Sequence, residues 1–495
     1  MIKKTLFTLL FLSSLCIFSQ EIVKEFDIKL ERKRNFFQVV NKEKNEVVLF
    51  SNDKEKVTSV RFDDKFGIKD SLSAARPEKT YTEILGYSQK ENNYFMFWGS
   101  KDRKKISSQF FDFAKKETGT KTFELELKKE KIIKEITINN VFYLITITKK
   151  TGDLKFYIFD NSDNLTTKTV DLSNISFKNS LGNPVNLYTV LTEDSFGFFI
   201  QNIGNDSPPS LALSSKKFKI YTYKNSEITL TLDNNINSTE ILRINLTDFS
   251  ANLKSIDQPV ITRGEFDFIT FKTNSFLIDD KILQIKTNPE VLFLTITDLN
   301  GNRINQFKTL REEEISFKNS DVFQETGSFH NKKLLEKPKQ FIRKINNSTP
   351  SISCYNLNGL YYTVIGSSKD IVHSGGMAPG FGGGFGGGGF VGSPVSFGFS
   401  STYTIENLIS YKDKIVVYTN CLFDSNFNHI LGEIKTSAFD KARIFLEENE
   451  EITDGSTLFN KSIYDDLIIF KFKTSLYLGN YNKEQKKYKI FSFSE

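Results

Sequence analysis

Tryptophan, histidine, cysteine and methionine are nearly missing from this chain, with one, three, three and three residues among 495. Three cysteines cannot build a disulfide framework over such a length. The histidines, His330, His373 and His429, lie far apart, and none sits in H-E-x-x-H or a comparable metal-ligand spacing. No G-x-S-x-G elbow occurs, so a serine hydrolase of that type has no support. Neither sign of charge dominates: the chain carries +6, and +4 once Lys3 and Lys4 are discounted. The concentrated basic stripe of a nucleic-acid binder is lacking. Beyond the first twenty residues no apolar stretch approaches the roughly 20 residues that span a bilayer as a helix. No cofactor fingerprint survives inspection, and no set of catalytic groups can be assembled from sequence alone.

The chain opens with Lys3 and Lys4, an apolar stretch from Leu6 to Phe18, then Ser19, Gln20 and Glu21. This is the layout of a secretory signal peptide, and residues 1–20 are expected to be removed. The apolar stretch is short for a membrane anchor. Lipid attachment at Cys16 is disfavoured by the bulky Leu15 before it. Cleavage leaves Cys354 and Cys421. An oxidising compartment permits a bond between them, and two buried or surface thiols are the alternative.

Phenylalanine is very abundant, at 48 residues. Isoleucine, threonine, tyrosine and valine are common too, and such side chains fit a pleated, half-buried surface. Alternation at Val57 to Phe62, Phe123 to Leu127 and Ile468 to Lys473 marks strands with one face in a core. Gly152-Asp153 and Asn300-Gly301 steps separate apolar runs and read as hairpin turns. A repeat emerges: Asn140 to Leu172 and Lys281 to Leu310 each give three successive strands, the second ending in Asp before a polar turn. Weaker copies recur at roughly 40 to 70 residues, at or above the size of a propeller blade.

The pattern predicts an all-β chain, an irregular β-propeller of about six to eight blades over residues 21–495. Two consecutive β-sandwich domains are the alternative. Val23 to Leu30 is placed beside Tyr488 to Phe493 in the last blade. The chain resembles exported, degenerate β-propeller-like proteins of Gram-negative bacteria. That resemblance rests on pattern without a motif and transfers no functional residue. Helix is expected to be scarce, with Asn331 to Ile345 the best candidate, where Pro338 should break or kink it.

Residues 374–400 form a Gly-rich insertion that cannot order itself without a partner. Its Phe381, Phe385 and Phe390 are candidate contacts to a partner groove. Asp424, Asn426 and Asn428 begin like a calcium loop, but His429 and Lys435 stand where Gly and a carboxylate are required. These observations lead us to expect a periplasmic, cell-surface or secreted protein that is not an enzyme and binds an envelope protein or a glycan through a propeller face. A hydrolase with carboxylates in the propeller funnel and a structural part of a surface or motility assembly are the alternatives.

Overall fold

The computed structural model describes residues 21–31, 35–160, 164–193, 199–204, 209–222, 224, 226–260, 270–371, 405–449 and 466–494. The chain is all-β. Its described strands form seven sheets of four or five strands and one two-stranded sheet. Pairing is antiparallel throughout except where Gln201–Ile203 runs parallel to Phe218–Tyr221. The chain divides into two compact units, Met1–Arg76 with Thr436–Glu495, and Pro77–Lys435.

The first unit holds two four-stranded sheets. One is the meander Asn35–Asn41, Glu46–Asn52, Lys56–Phe62 and Ile68–Ala75. In the other, Glu21–Asp27 lies antiparallel beside Lys487–Phe493, with Phe26 opposite Tyr488. The pairing of the first and last strands is thus as the alternation predicted. Their shared core is aromatic: Tyr488 packs on Phe26 and Phe36 at 5.6 and 4.8 Å between centroids. Gly479 is required there, because a Cβ would stand 2.1 Å from the Tyr488 hydroxyl. The helix Ala438–Glu448 begins at a capping box of Ser437 and Asp440 and lays Phe445 on Phe491 and Phe493.

The second unit holds the other sheets. The strands Val141–Thr148 and Leu154–Phe159 fall where the repeat placed them. Neighbouring sheets meet through their first strands. Thr137 on Glu130–Ile138 donates to the Tyr87 carbonyl at 2.8 Å and accepts from the Tyr87 N–H at 3.1 Å. Gly86 beside it lets Phe142 approach, since a Cβ would lie 2.4 Å from that ring. Arg103 ties the same two sheets, with 2.5 Å bonds to Glu83 and Glu135.

The aspartates that end the repeated strands now have a physical role. Asp298 Oδ1 accepts from the N–H groups of Asn300 and Asn302 at 2.7 and 2.9 Å. Asp424 Oδ1 accepts likewise from Asn426 and Asn428 at 2.9 and 2.8 Å. The same i+2 and i+4 bonds are made by Asp63 to Lys65 and Gly67. The turn puts its fourth residue in the left-handed region: Gly301 has φ +85°, but Phe66 and Phe427 have +61° and +57°. A non-glycine residue there costs about 1–2 kcal/mol. Burial of the ring offsets it: Phe427 is fully buried and packs against Tyr361 with ring centres 4.3 Å apart.

The helix expected across Asn331 to Ile345 is divided differently. Ser328–Leu334 is a strand and Pro338–Asn346 a helix. Pro338 stands in the first turn, where its missing N–H breaks no helical bond, so it starts the helix it was expected to interrupt.

Candidate functional site

Several expected site residues prove to be scaffold. Cys354 and Cys421 are free, buried thiols. Cys354 pairs across the ladder with Thr363, and Thr363 with Cys421. The cysteines are therefore two strands apart, about 9.5 Å, beyond the roughly 7 Å between Cα atoms that a disulfide tolerates. The bond that two cysteines permitted is not made. Thr363 donates to Cys354 Sγ at 3.2 Å, and burial pushes the Cys354 thiol up to about 12.

The calcium alternative at Asp424, Asn426 and Asn428 also fails on geometry. The Asp424 carboxylate faces two backbone N–H donors and, at 3.1 Å, the Asn428 amide nitrogen. Those donors hold its pKa below the usual carboxylate range. A cation would need oxygen ligands where these nitrogens stand. Among the described residues, no three His, Cys, Asp or Glu side chains come together to hold a metal ion. Phe381, Phe385 and Phe390 lie outside the described residues.

The structure brings together three groups that sequence reasoning missed: Lys134, Lys216 and Glu406. Lys134 lies on Glu130–Ile138 at a register shift between Ile132 and Lys134. A bulge of this kind re-aims the side chain that follows it. Its Nζ donates to the Ile200 carbonyl at 3.3 Å. Lys216 follows the short helix Leu211–Ser214, and its Nζ stands 5.1 Å from the Phe199 ring centre. Both ammonium groups thus reach the same 199–200 step.

Glu406 comes from the helix Ile405–Ile409, which is fastened beside that short helix. Asn407 Oδ1 accepts from the Ser210 N–H at 2.6 Å, the Ser410 hydroxyl donates to Ser210 Oγ at 2.6 Å, and the Tyr411 hydroxyl accepts from the Leu211 N–H at 3.3 Å. Ser351 and Ser353 donate to the carbonyls of Leu211 and Pro209 from the strand Thr349–Leu357. Four backbone groups of residues 209–211 are therefore held by side chains, two of them from the segment just after Glu406.

The electrostatics follow from partial burial. Desolvation lowers the pKa of Lys134, with Glu406 and Glu135 opposing. Desolvation also lowers Lys216; the Lys414 charge adds to this, while Asp370 and Glu406 oppose it. Burial raises Glu406 above the usual carboxylate range, and the two lysines only partly offset it. Among the described residues neither lysine lies within ion-pairing distance of Glu406, because none of these three groups forms an ion pair within 4 Å. Glu135 is committed to Arg103 and Asp370 to Lys414. Each of the two lysines acts electrostatically on Glu406 without forming an ion pair with it.

No family model matches the chain, and no curated protein matches it. Solved structures do. A mutant of the apocarotenoid oxygenase of Synechocystis aligns with a TM-score of 0.28 at 8% identity, covering 53% of this chain and 58% of that one. A cobalt-substituted form of the same oxygenase gives 0.27 at 8% identity, over 55% and 59%. A prolyl endopeptidase gives 0.30 at 7% identity, over 68% and 41%. The chain thus spans under two thirds of each of these proteins. Scores this low carry no activity across. These neighbours are enzymes and lend no support to our expectation of a non-catalytic envelope protein binding a protein or a glycan; that expectation and its alternatives are not carried forward. No described helix is long and apolar enough to cross a membrane.

Proposed function

We propose that the second unit binds a small molecule bearing a carboxylate or phosphate group at Lys134, Lys216 and Glu406. The observation that carries this reading is the approach of two half-buried ammonium groups to the adjacent residues Ile200 and Phe199, neither in an ion pair among the described residues. Buried charge costs several kcal/mol unless it is paired. An oxyanion between the two lysines would supply the missing partner with charge-assisted hydrogen bonds. Glu406 beside them is the proton donor or acceptor of the site.

Calorimetric titration with inorganic phosphate and with pyruvate tests this. One site is expected, weakened about tenfold or more in Lys134→Ala/Lys216→Ala. Equal heats in the double variant and the parent protein would refute the assignment.

The same proposal includes the finer architecture and the location. Seven sheets of four or five strands, and a sheet shared by the first and last described strands, support an irregular propeller of about six to eight blades. The charged, apolar and polar segments of residues 1–20 support export with removal of that segment, and kinship with exported propeller-like proteins of Gram-negative bacteria. Intact mass of the protein recovered from envelope fractions checks it: a chain still starting at Met1 would count against export.

A further inference from the structure

We infer that the second unit binds one internal water molecule between two of its sheets, donating to Gln258 Oε1 and Gln284 Oε1 and accepting from the Thr295 hydroxyl. A chain of hydrogen bonds with forced directions leads to it. Asp233, an ionised carboxylate beside Lys219, only accepts: from Lys219 Nζ, from the Thr239 hydroxyl, and from the Ser275 N–H and hydroxyl. Thr239 has one proton and spends it on Asp233 Oδ1 at 2.8 Å, so its oxygen can only accept from its other neighbours. It accepts from Gln284 Nε2 at 3.2 Å and from Gln258 Nε2 at 3.4 Å. Gln284 Nε2 also donates to the Ile256 carbonyl at 3.2 Å, which an amide oxygen could not do. Neither carboxamide can turn round, and in each it is the oxygen that is left over.

Those two oxygens share one place in the fold. Thr239 lies on Ser238–Asn245 and Gln258 just past Ala251–Asp257; Gln284 lies on Lys281–Thr287 of the next sheet. Both amide nitrogens rest on one hydroxyl, and each oxygen shares a carbon with its nitrogen. Gln284 and Gln258 are 0 and 3% exposed, and neither oxygen meets a donor among the described residues. Thr295 stands directly across the ladder from Gln284, on the same face, with a buried hydroxyl that is also unpartnered among the described residues. Cross-strand partners hold their Cβ atoms about 5 Å apart, within reach of one bridging molecule. Two buried acceptors and a hydroxyl call for a small neutral ligand with two protons and a lone pair. Water fits, and about three hydrogen bonds is the usual complement of an internal water. The site shares no residue with Lys134, Lys216 and Glu406, so either assignment can fail alone.

A crystal structure of the full chain at high resolution tests this. One isolated density peak is expected, about 2.6–3.0 Å from Gln258 Oε1, Gln284 Oε1 and Thr295 Oγ1. No peak there, or amide oxygens turned onto protein donors, would overturn the inference. Six or more oxygens at about 2.4 Å would mark a cation and overturn it too. Urea unfolding of Gln258→Met, Thr295→Val and the double variant gives a second reading. Gln258 and Thr295 share no hydrogen bond among the described residues, so the water is what links them. Each single variant should lower the urea midpoint. In the double variant the unfolding constant should rise less than the product of the single effects, by a factor of about two or more. Single effects that simply multiply would mean that no bridge joins the two side chains.

Discussion

Two lysine–carboxyl clusters in the second unit show opposite solutions to the same physical problem. Lys219 is fully buried, and its three N–H bonds go to Asp233 at 2.8 Å, Asn274 at 3.0 Å and the Lys216 carbonyl at 2.7 Å. Asp233 is equally committed: Oδ1 accepts from Thr239 at 2.8 Å, and Oδ2 from the Ser275 N–H at 3.0 Å and hydroxyl at 2.9 Å. Nothing remains for a ligand. Lys134, Lys216 and Glu406 instead share one modest hydrogen bond and one ring contact among the described residues. A saturated pair fixes the fold. Charges held apart retain their capacity to bind, and perturbed groups with spare capacity are where function is sought.

The largest effect should come from breaking the saturated pair. Asp233→Ala leaves the Lys219 ammonium buried without its counter-charge and should cost about 3–5 kcal/mol in urea unfolding. Lys219→Met/Asp233→Leu should recover most of that loss, because two apolar groups of similar size need no partner. A double variant as unstable as the single one would mean that the pair contributes more than mutual neutralisation.

The open cluster should respond in the opposite direction. Lys134→Met removes a desolvated cation and should raise stability at neutral pH by about 1 kcal/mol or less, while weakening phosphate binding. The sign with pH is also set. Lys134 holds its proton less tightly when folded. The parent should therefore gain stability as pH rises from that lowered value toward the ordinary lysine value. Lys134→Met should lose that rise. Urea midpoints across the alkaline range are the measurement, and an unchanged slope in the variant would remove Lys134 from the account.

Why one layer of this protein is legible and the other is not follows from where the information sits. Hairpins are local, so alternation at Val141–Thr148 and the Asn-Gly step at 300–301 suffice to place them. The Asp before each turn was visible as a repeat. That it accepts two N–H bonds is a matter of the folded turn, which is why Asp424 resembles a calcium ligand in sequence and is a turn residue in space. Pro338 was misread because a break and a first helical turn look alike until the preceding Lys337 is seen to be extended. Lys134, Lys216 and Glu406 carry no local mark at all. Their meeting depends on a bulge in one strand and on hydrogen bonds joining residues 197 and 200 positions apart. The paired isoleucines before Lys134, which interrupt strict alternation, were the one available hint.

The smallest effect is the one that tests the open cluster most directly. Glu406 is raised by burial, with Lys134 and Lys216 opposing. Between the ordinary carboxylate value and that raised value, the folded protein holds a proton that the unfolded chain releases. Stability should therefore fall as pH rises through this window, and the penalty should persist above it. Glu406→Gln keeps the shape of the neutral acid and removes the titration. It should be more stable than the parent above the window by under about 1 kcal/mol, and equal to it below. Saturating phosphate changes the expectation: an anion on Lys134 and Lys216 disfavours ionised Glu406, so the parent's fall, which still begins near the ordinary carboxylate value, should extend to higher pH when phosphate is bound. Glu406→Gln should show no such displacement. If phosphate moves both proteins alike, the anion binds away from Glu406, and the three groups are not one site.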